Sequence, residues 1–342
     1  MPPAELPAVP GVLTADDIRR TGESIAAAQE PDGALPWFDG GHTDPWDHVE
    51  SAMALTVTGR WREARDAYIW SAKNQRPDGS WPVRIRRGAV ENPDADTNFC
   101  AYLATGVLHY LLSTGDTGFA REMWPAVSAG IDFVLGLQLG EHGEIHWSAG
   151  DSGSSGEALL TGCSSIYHSL GCALALAERL GQRAEHWAMG RRRLGRALRE
   201  HPEAFLDKSR YSMDWYYPIL GGAVRGAAAR ARIDRHWDEF VVPGMGIRCV
   251  SDAPWATGAE TCELVLALDA IGETERAVRL FRDMQHLREA DGSYWTGLVF
   301  ADCKRWPEER TTWTAAAVVL AADALSRATP ANGIFRDPLG DR

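Results

Sequence analysis

Basic residues are the minority charge in this 342-residue chain: 35 Lys and Arg stand against 47 Asp and Glu, a formal charge of −12. That balance argues against nucleic acid or an anionic membrane surface as a partner, because both select basic patches. No run of 18 or more apolar residues is present, so no helix is expected to span a bilayer. The segment Met1–Pro10 has neither the basic nor the apolar region of a signal peptide, and the chain is expected in the cytosol. Cysteine is scarce and scattered: Cys100, Cys163, Cys172, Cys249, Cys262 and Cys303 form no CxxC pair and no zinc-type spacing with histidine. They read as free thiols, most of them buried, and neither a disulfide framework nor a metal or cofactor site is expected. The alternation that marks strands is hard to find.

Helical periodicity dominates instead. Start and stop signals with apolar spacing predict twelve helices, at 15–29, 45–58, 61–75, 97–114, 117–138, 162–180, 183–199, 214–225, 227–241, 257–271, 273–287 and 311–327. Their connections alternate in kind. Five are short and carry a glycine at a helix end (Gly59, Gly115, Gly181, Gly226, Gly272), where the left-handed conformation closes a helix. Six are long and rich in Trp, Asp, Gly and Pro, and such loops are usually functional. Strict alternation places all six long loops on one end. The helices after the long loops are richer in Ala, Leu and Val, while the others carry the charge, which predicts an inner and an outer ring. The expected fold is all-α: an (α/α)6 toroid of six hairpins in one domain spanning 1–342, with its core at 15–327 and short terminal arms.

Each long loop delivers aromatic and polar residues to the start of an inner helix. Nine of the fourteen tryptophans (Trp37, Trp46, Trp81, Trp147, Trp215, Trp255, Trp295, Trp306, Trp313) fall in these loops or the adjoining first turn. A cleft with indole faces and carboxylates suits a ligand having both apolar faces and hydroxyls, as sugars do. The candidate ligand-binding set is those nine tryptophans with His42, Glu50, Asn98, Tyr167, His168, Tyr216, Arg248, Asp252, Glu260 and Tyr294. The candidate catalytic acids are Glu309, Asp214, Asp96 and Asp47. Asp47, Asp96 and Asp214 also read as ordinary N-caps, since each lies at or near a helix start. Glu309 precedes Thr311 and Thr312, which can cap the last helix themselves. Glu260 and Glu263 are one turn apart and face the same way, as are Asp47 and Glu50. His48 and His168 read as structural histidines.

With helix count and loop alternation covering 15–327, the chain resembles the six-hairpin glycosidase-like superfamily of (α/α)6 enzymes. Tyr110-Leu-Leu-Ser-Thr-Gly-Asp116, Trp124-Pro125-Ala-Val and Glu309-Arg-Thr-Thr-Trp-Thr-Ala-Ala-Ala317 are similar to phrases in that group. The resemblance implies glycan processing, usually hydrolysis with inversion, by two carboxylates acting as acid and base. On that reading Glu309 is the base and Asp214 the acid, with Asp47 and Asp96 binding hydroxyls or replacing one of them. The implied partner is a small-molecule sugar or glycoside.

A second resemblance competes. Gln75-Arg-Pro-Asp78-Gly79-Ser80-Trp81, echoed at Gln29-Glu-Pro-Asp-Gly33 and Asp291-Gly-Ser-Tyr294, is similar to the Gln/Trp repeat of terpenoid cyclases and prenyltransferase-like proteins. Asp94-Ala-Asp96-Thr97-Asn98 resembles the acid motif of class II terpene cyclases, which implies that Asp96 protonates an alkene of a prenyl substrate. Against this, Thr97 stands at an acidic position of that motif, the length suffices for one helical domain only, and the loops are too polar for a hydrocarbon cavity. The Gln-x-x-Asp-Gly phrase also has a plain reading, a helix end followed by a tight turn. A non-catalytic binding toroid is the third reading.

Overall fold

The computed structural model describes residues 5–150 and 153–339; of the N-terminal segment read above, positions 1–4 lie outside the described residues. The described residues contain twelve α-helices: α1 (Ala15–Ala28), α2 (Pro45–Val57), α3 (Trp61–Asn74), α4 (Thr97–Thr114), α5 (Thr117–Gly136), α6 (Leu160–Leu180), α7 (Glu185–Glu200), α8 (Ser212–Leu220), α9 (Gly226–Phe240), α10 (Gly258–Ala270), α11 (Thr274–Asp283) and α12 (Thr312–Ser326). They match the twelve expected helices. The largest departure is α8, which stops at Leu220 rather than 225. Pro218 inside it removes a backbone donor, and the chain then turns through Gly221 and Gly222. Gly226 consequently opens α9 instead of closing α8.

The even-numbered helices touch in the order α2, α4, α6, α8, α10, α12, and α12 returns to α2, which closes a ring. The odd-numbered helices pack outside it, α3 on α2 and so on around to α1 on α12. This is the (α/α)6 toroid. Composition explains the two layers. Every residue of α2 is buried, because one face meets the outer ring and the other meets the axis. The outer helix α7 instead has one buried stripe (Trp187, Leu194, Leu198) and leaves Arg192, Arg193 and Arg196 in solvent. Helix α6 is long and apolar enough to cross a membrane by length and composition, which the search for uninterrupted apolar runs did not flag. Most of it is buried inside the ring, as befits a core helix.

A repeated turn locks the outer ring. Gln29, Gln75 and Gln138 stand just past α1, α3 and α5. Each side-chain amide donates to the carbonyl of a following turn glycine (Gly33, Gly79 and Gly143; 3.1, 2.9 and 2.7 Å). Each also donates to a backbone carbonyl of the next outer helix (Glu63, Ala126 and Gly190, all 2.9 Å). The turn glycines press on the same helices: a Cβ on Gly33 or Gly79 would lie 2.4 or 2.2 Å from the carbonyl oxygen of Asp66 or Ala129. Gly292 repeats the contact on Arg20 of α1, which joins the last outer helix, α11, to the first. Asp78 accepts the Ser80 amide and hydroxyl at 3.0 and 2.7 Å, holding the turn. The Gln-x-x-Asp-Gly phrase is therefore a packing device.

The long loops contain short strands that the sequence reading did not anticipate. A hairpin joins β1 (Arg84–Arg86) to β2 (Ala89–Asn92). A second sheet pairs β3 (Ala95–Asp96), β4 (Ser148–Gly150) and β5 (Gly153–Ser154). A five-stranded antiparallel sheet runs in the order β10-β9-β8-β7-β6, from β6 (Val241–Val242), β7 (Gly246–Arg248), β8 (Trp255–Thr257), β9 (Gly297–Val299) and β10 (Lys304–Arg305). At two to four residues each, these strands are too short for alternation to register.

The end opposite the long loops is sealed by the C-terminal arm. Arg327 and Arg336 both bind Asp269, Thr329 donates to Asp323, and Arg225 donates to the Phe335 carbonyl at 2.9 Å. The Phe335 ring then stacks on His168 at 4.8 Å. The toroid therefore opens at one mouth, framed by the long loops.

The locking turn makes a stability prediction. Gly79→Ala introduces both a positive-φ penalty (φ 91°) and a backbone clash, whereas Gly115→Ala (φ 72°) meets nothing within 4 Å. Calorimetry should show a lower Tm for Gly79→Ala, by several degrees more than for Gly115→Ala; equal losses would refute the docking role of the turn.

Candidate active site

Six inner helices point their N-termini at the mouth, where their dipoles favour negative charge. Local sequence decides which acids are consumed as caps. Asp44 caps α2 by accepting the amides of Trp46 and Asp47 at 3.0 and 2.9 Å, which leaves Asp47 free for other work. Asp96 caps α4 through the amides of Asn98 and Phe99, and its second oxygen accepts the Trp147 indole N–H at 2.7 Å. Thr311 caps α12, so Glu309 is not needed there. Glu309 instead accepts the Trp37 indole N–H at 2.8 Å.

An aromatic wall descends from Glu309 into the mouth. Trp37 stacks on His42 at 5.7 Å and lies 5.7 Å from Trp313; Trp313 meets the edge of Trp46 at 6.1 Å; Trp46 stacks on Tyr102 at 4.4 Å. The indole nitrogens of Trp46 and Trp313 are buried without a hydrogen-bond partner in the protein. Glu50 Oε2, Glu260 Oε2 and Asn98 Oδ1 share that condition. Buried polar atoms of this kind are completed by water or by ligand hydroxyls.

The carboxylates form two layers along the axis. In the deep layer Glu263 accepts the hydroxyls of Tyr216 and Tyr217 at 2.5 and 2.6 Å, and Glu50 lies close enough to Glu263 for each to disfavour the other's charge. A narrow cavity of about 10 Å³ lies here, lined by Trp46, Glu50, Tyr102, Tyr217, Glu263 and, toward the sealed end, His168 and Phe335. Asp47 and Glu260 are each three residues N-terminal to a deep acid, hence one turn and ~4.5 Å nearer the mouth on the same faces of α2 and α10. Both are buried, 6% and 5% exposed, and stand between the deep acids and the mouth.

Electrostatics separates their states. Burial, then the charges and hydrogen bond of Asp44, then Glu50 and Glu263, hold Asp47 protonated well above the ordinary carboxylate range. Burial also raises Glu260, but Thr257, its own amide and the Cys249 thiol pull it back down. Burial raises Glu50, with Glu263 adding to the rise. Burial pushes Glu263 up to about 8 against the two tyrosine hydroxyls, and Asp96 up to about 6. Several carboxylates in so small a dry volume cannot all ionise.

Other sequence candidates lie elsewhere. Asp214 is buried, accepts the Thr161 hydroxyl at 2.7 Å and faces Arg232 of the outer ring, outside the charge network of the axial acids. Trp215 points outward, stacked on Phe240 and donating to the Arg232 carbonyl. Trp81 and Tyr294 are core residues bonded to Ser71 and Gln285. Tyr167 lies under Arg191 of α7, and His168 sits at the sealed end, where burial takes it down to about 3. Asp252 pairs with Arg210 in solvent, and Trp295 donates to Glu289 within its own loop. Arg248, Trp255 and Trp306 form the rim on the five-stranded sheet. His48 is structural: it accepts the Leu35 amide at 3.0 Å and bonds the Ala67 carbonyl at 2.8 Å. Asp44, Tyr102, Tyr217 and Glu263 belong to the site but were absent from the candidate set, although the i, i+3 spacing of Glu263 from Glu260 was visible. Among the described residues, metal-type donors converge at His142, His201 and Glu203, within 4.8 Å of one another, a grouping that sequence spacing does not reveal.

Solved and curated proteins bear on this geometry. No family model matches the chain. It is 65% identical over 331 residues, 97% of this chain and 92% of the other, to an MMP endo-(1,4)-3-O-methyl-alpha-D-mannosidase of Mycolicibacterium hassiacum. A glycosidase variant solved in complex with glucose superposes with a TM-score of 0.72 at 16% identity, covering 91% of this chain and 96% of that one. A D-mannose isomerase superposes with a TM-score of 0.69 at 10% identity, covering 90% and 95%. The two structures establish the fold alone. Of the two resemblances seen in the sequence, the mannosidase supports the glycosidase one.

The deep acids predict a pH dependence of stability. Glu263 binds its proton more tightly folded than unfolded, so its contribution is complete below about 4.5 and is lost as pH rises through about 8. The Tm should fall across that window, and Glu263→Gln should flatten the slope; parallel slopes for both proteins would contradict the assignment.

Proposed function

The chain belongs to the family of the Mycolicibacterium hassiacum mannosidase and is a glycoside hydrolase; from that premise we propose that it cleaves (1,4) bonds within chains of 3-O-methyl-α-D-mannose, with Asp47 as acid and Glu260 as base. The observation that carries the catalytic assignment is the position of this pair, one helical turn nearer the tryptophan-walled mouth than Glu50 and Glu263, which line one buried cavity. An acid must hold its proton at working pH, and the carboxylates around Asp47 keep it there. A base must be ionised. Burial raises the Glu260 carboxyl, and the first turn of α10, Thr257 and Cys249 oppose that rise in favour of the charged form.

The reaction then follows from placement. The glycosidic oxygen takes the Asp47 proton as the C–O bond breaks, and a water deprotonated by Glu260 adds to the anomeric carbon. Helices α2 and α10 are not neighbours in the ring, since α12 stands between them, so the two acids approach the sugar from different sides of the ring. A 3-O-methyl group replaces a donor with apolar surface, and the Trp37–Trp313–Trp46 wall supplies indole faces for it. Glu309 serves here to fix Trp37, and Asp214 to fix the start of α8 against α6.

Steady-state kinetics on a 3-O-methylated (1,4)-α-mannooligosaccharide test this assignment. Asp47→Asn and Glu260→Gln should each lower kcat by about 10²–10⁴-fold. Asp47→Asn should also remove the alkaline limb of the pH–rate profile, since that limb reports loss of the acid's proton. Glu309→Gln should raise KM more than it lowers kcat. A Glu309→Gln variant as inactive as Glu260→Gln would return the base role to Glu309.

A further inference from the structure

Two aromatic surfaces outside the axial site are exposed, and each contains one indole held by a hydrogen bond. Trp147, 41% exposed, sits where the long loop after α5 crosses the start of α4. Its indole N–H is fixed on Asp96 at 2.7 Å, and its carbonyl accepts the Thr97 amide at 2.9 Å. The second surface is a corner formed by Trp255 and Trp306, whose rings lie 5.8 Å apart at 46°. Trp306 is 55% exposed, and the Trp255 indole N–H is fixed on the Trp306 carbonyl at 2.8 Å.

The five-stranded sheet explains how the corner is presented. Ala256 on β8 and Leu298 on β9 are cross-strand partners that face the core. Alternation then sends Trp255, paired with Val299, to the opposite face. A Cβ on Gly297 would lie 2.6 Å from the Trp255 indole nitrogen, so the missing side chain lets the indole lie across β9. A solvent-facing indole that is hydrogen-bonded at its edge offers a fixed flat face. That is what stacking on the C–H surface of a sugar ring requires.

Ring order puts the two surfaces on opposite flanks of the mouth. Trp147 is bonded at the N-terminus of α4, and β8 leads directly into α10. In a closed ring of six, α4 and α10 are three places apart and face each other across the axis. Trp306 is three residues from Glu309, which holds the Trp37 wall, so the corner adjoins the mouth within about 10 Å of chain.

We propose that Trp147 and the Trp255–Trp306 corner are distal sugar-binding subsites, one on each flank, that hold glycan units beyond those beside the cleaved bond. This inference rests on the glycan-hydrolase reading above and extends it. A polymer bound at both flanks lies across the mouth, and the bond over Asp47 and Glu260 is then internal to it.

The experiment measures kcat/KM and product lengths for wild type, Trp147→Ala, Trp306→Ala and the double variant on a length series of 3-O-methylated (1,4)-α-mannooligosaccharides. Each single variant is expected to lose about tenfold more in kcat/KM on the longest members than on the shortest, mainly through KM. The two variants should shift the cleavage position in opposite directions along the chain, which general destabilisation does not do. Wild-type turnover with variants whose deficits do not depend on length, or that leave product lengths unchanged, overturns the subsites alone. No turnover of any member by the wild type overturns the substrate reading and the subsites with it.

Discussion

The close approach of the turn glycines to the next outer helix is the contact on which the rest of the molecule depends. Gly33, Gly79 and Gly292 sit so near a neighbouring backbone that no side chain fits, and the glutamines beside the first two tie turn and helix together. Each lock sets the spacing of two outer helices and thereby the direction of the inner helix that follows. Repeated at four of the six junctions between outer helices, the locks help to aim the inner N-termini at one mouth. The amide of Gln75 can reach both the Gly79 and Ala126 carbonyls only because Gly79 lets the turn lie against α5.

That convergence creates the chemistry. Helix N-termini stabilise negative charge, while burial in a dry ring opposes it. The contest is settled differently at each depth. Glu263, bound by two tyrosine hydroxyls and facing Glu50, keeps a proton well above the usual range. One turn nearer solvent, Asp47 and Glu260 meet unlike neighbours, another carboxylate in one case and a thiol and hydroxyl in the other. Burial raises both, and only at Glu260 do neighbours oppose the rise. The fold does not carry this by itself, since a D-mannose isomerase shares it at 10% identity.

The tryptophans divide in the same way by depth and direction. Trp37, Trp46 and Trp313 line the mouth, and Trp147 and Trp306 stand at its flanks. Trp81 in its long loop and Trp215 in the first turn of α8 instead fill gaps between inner and outer helices. In a hairpin repeat, loop position locates an indole at the mouth end of the molecule, while the pitch of the adjoining helix decides whether it faces the axis.

Periodicity, glycine-ended turns and the alternation of short and long loops made the twelve helices and their two rings legible in the chain, because these are local signals that recur with each hairpin. The i, i+3 pairs Asp47/Glu50 and Glu260/Glu263 were legible for the same reason. Which acids meet was not. Asp214 has the same sequence context as Asp47, a carboxylate in the first turn of an inner helix, yet Thr161 and Arg232 draw it toward the outer ring. Glu263 was passed over because its tyrosine partners lie on another helix, nearly fifty residues away in sequence. The short strands that hold Trp255 and Trp306 were invisible, since two to three residues carry no period. Sequence by itself determined the ring and the end at which the site lies, through interactions between residues a few positions apart. Tertiary structure alone decided which side chains share the axis and hence which hold protons, because those depend on distances and burial between helices that no local pattern encodes.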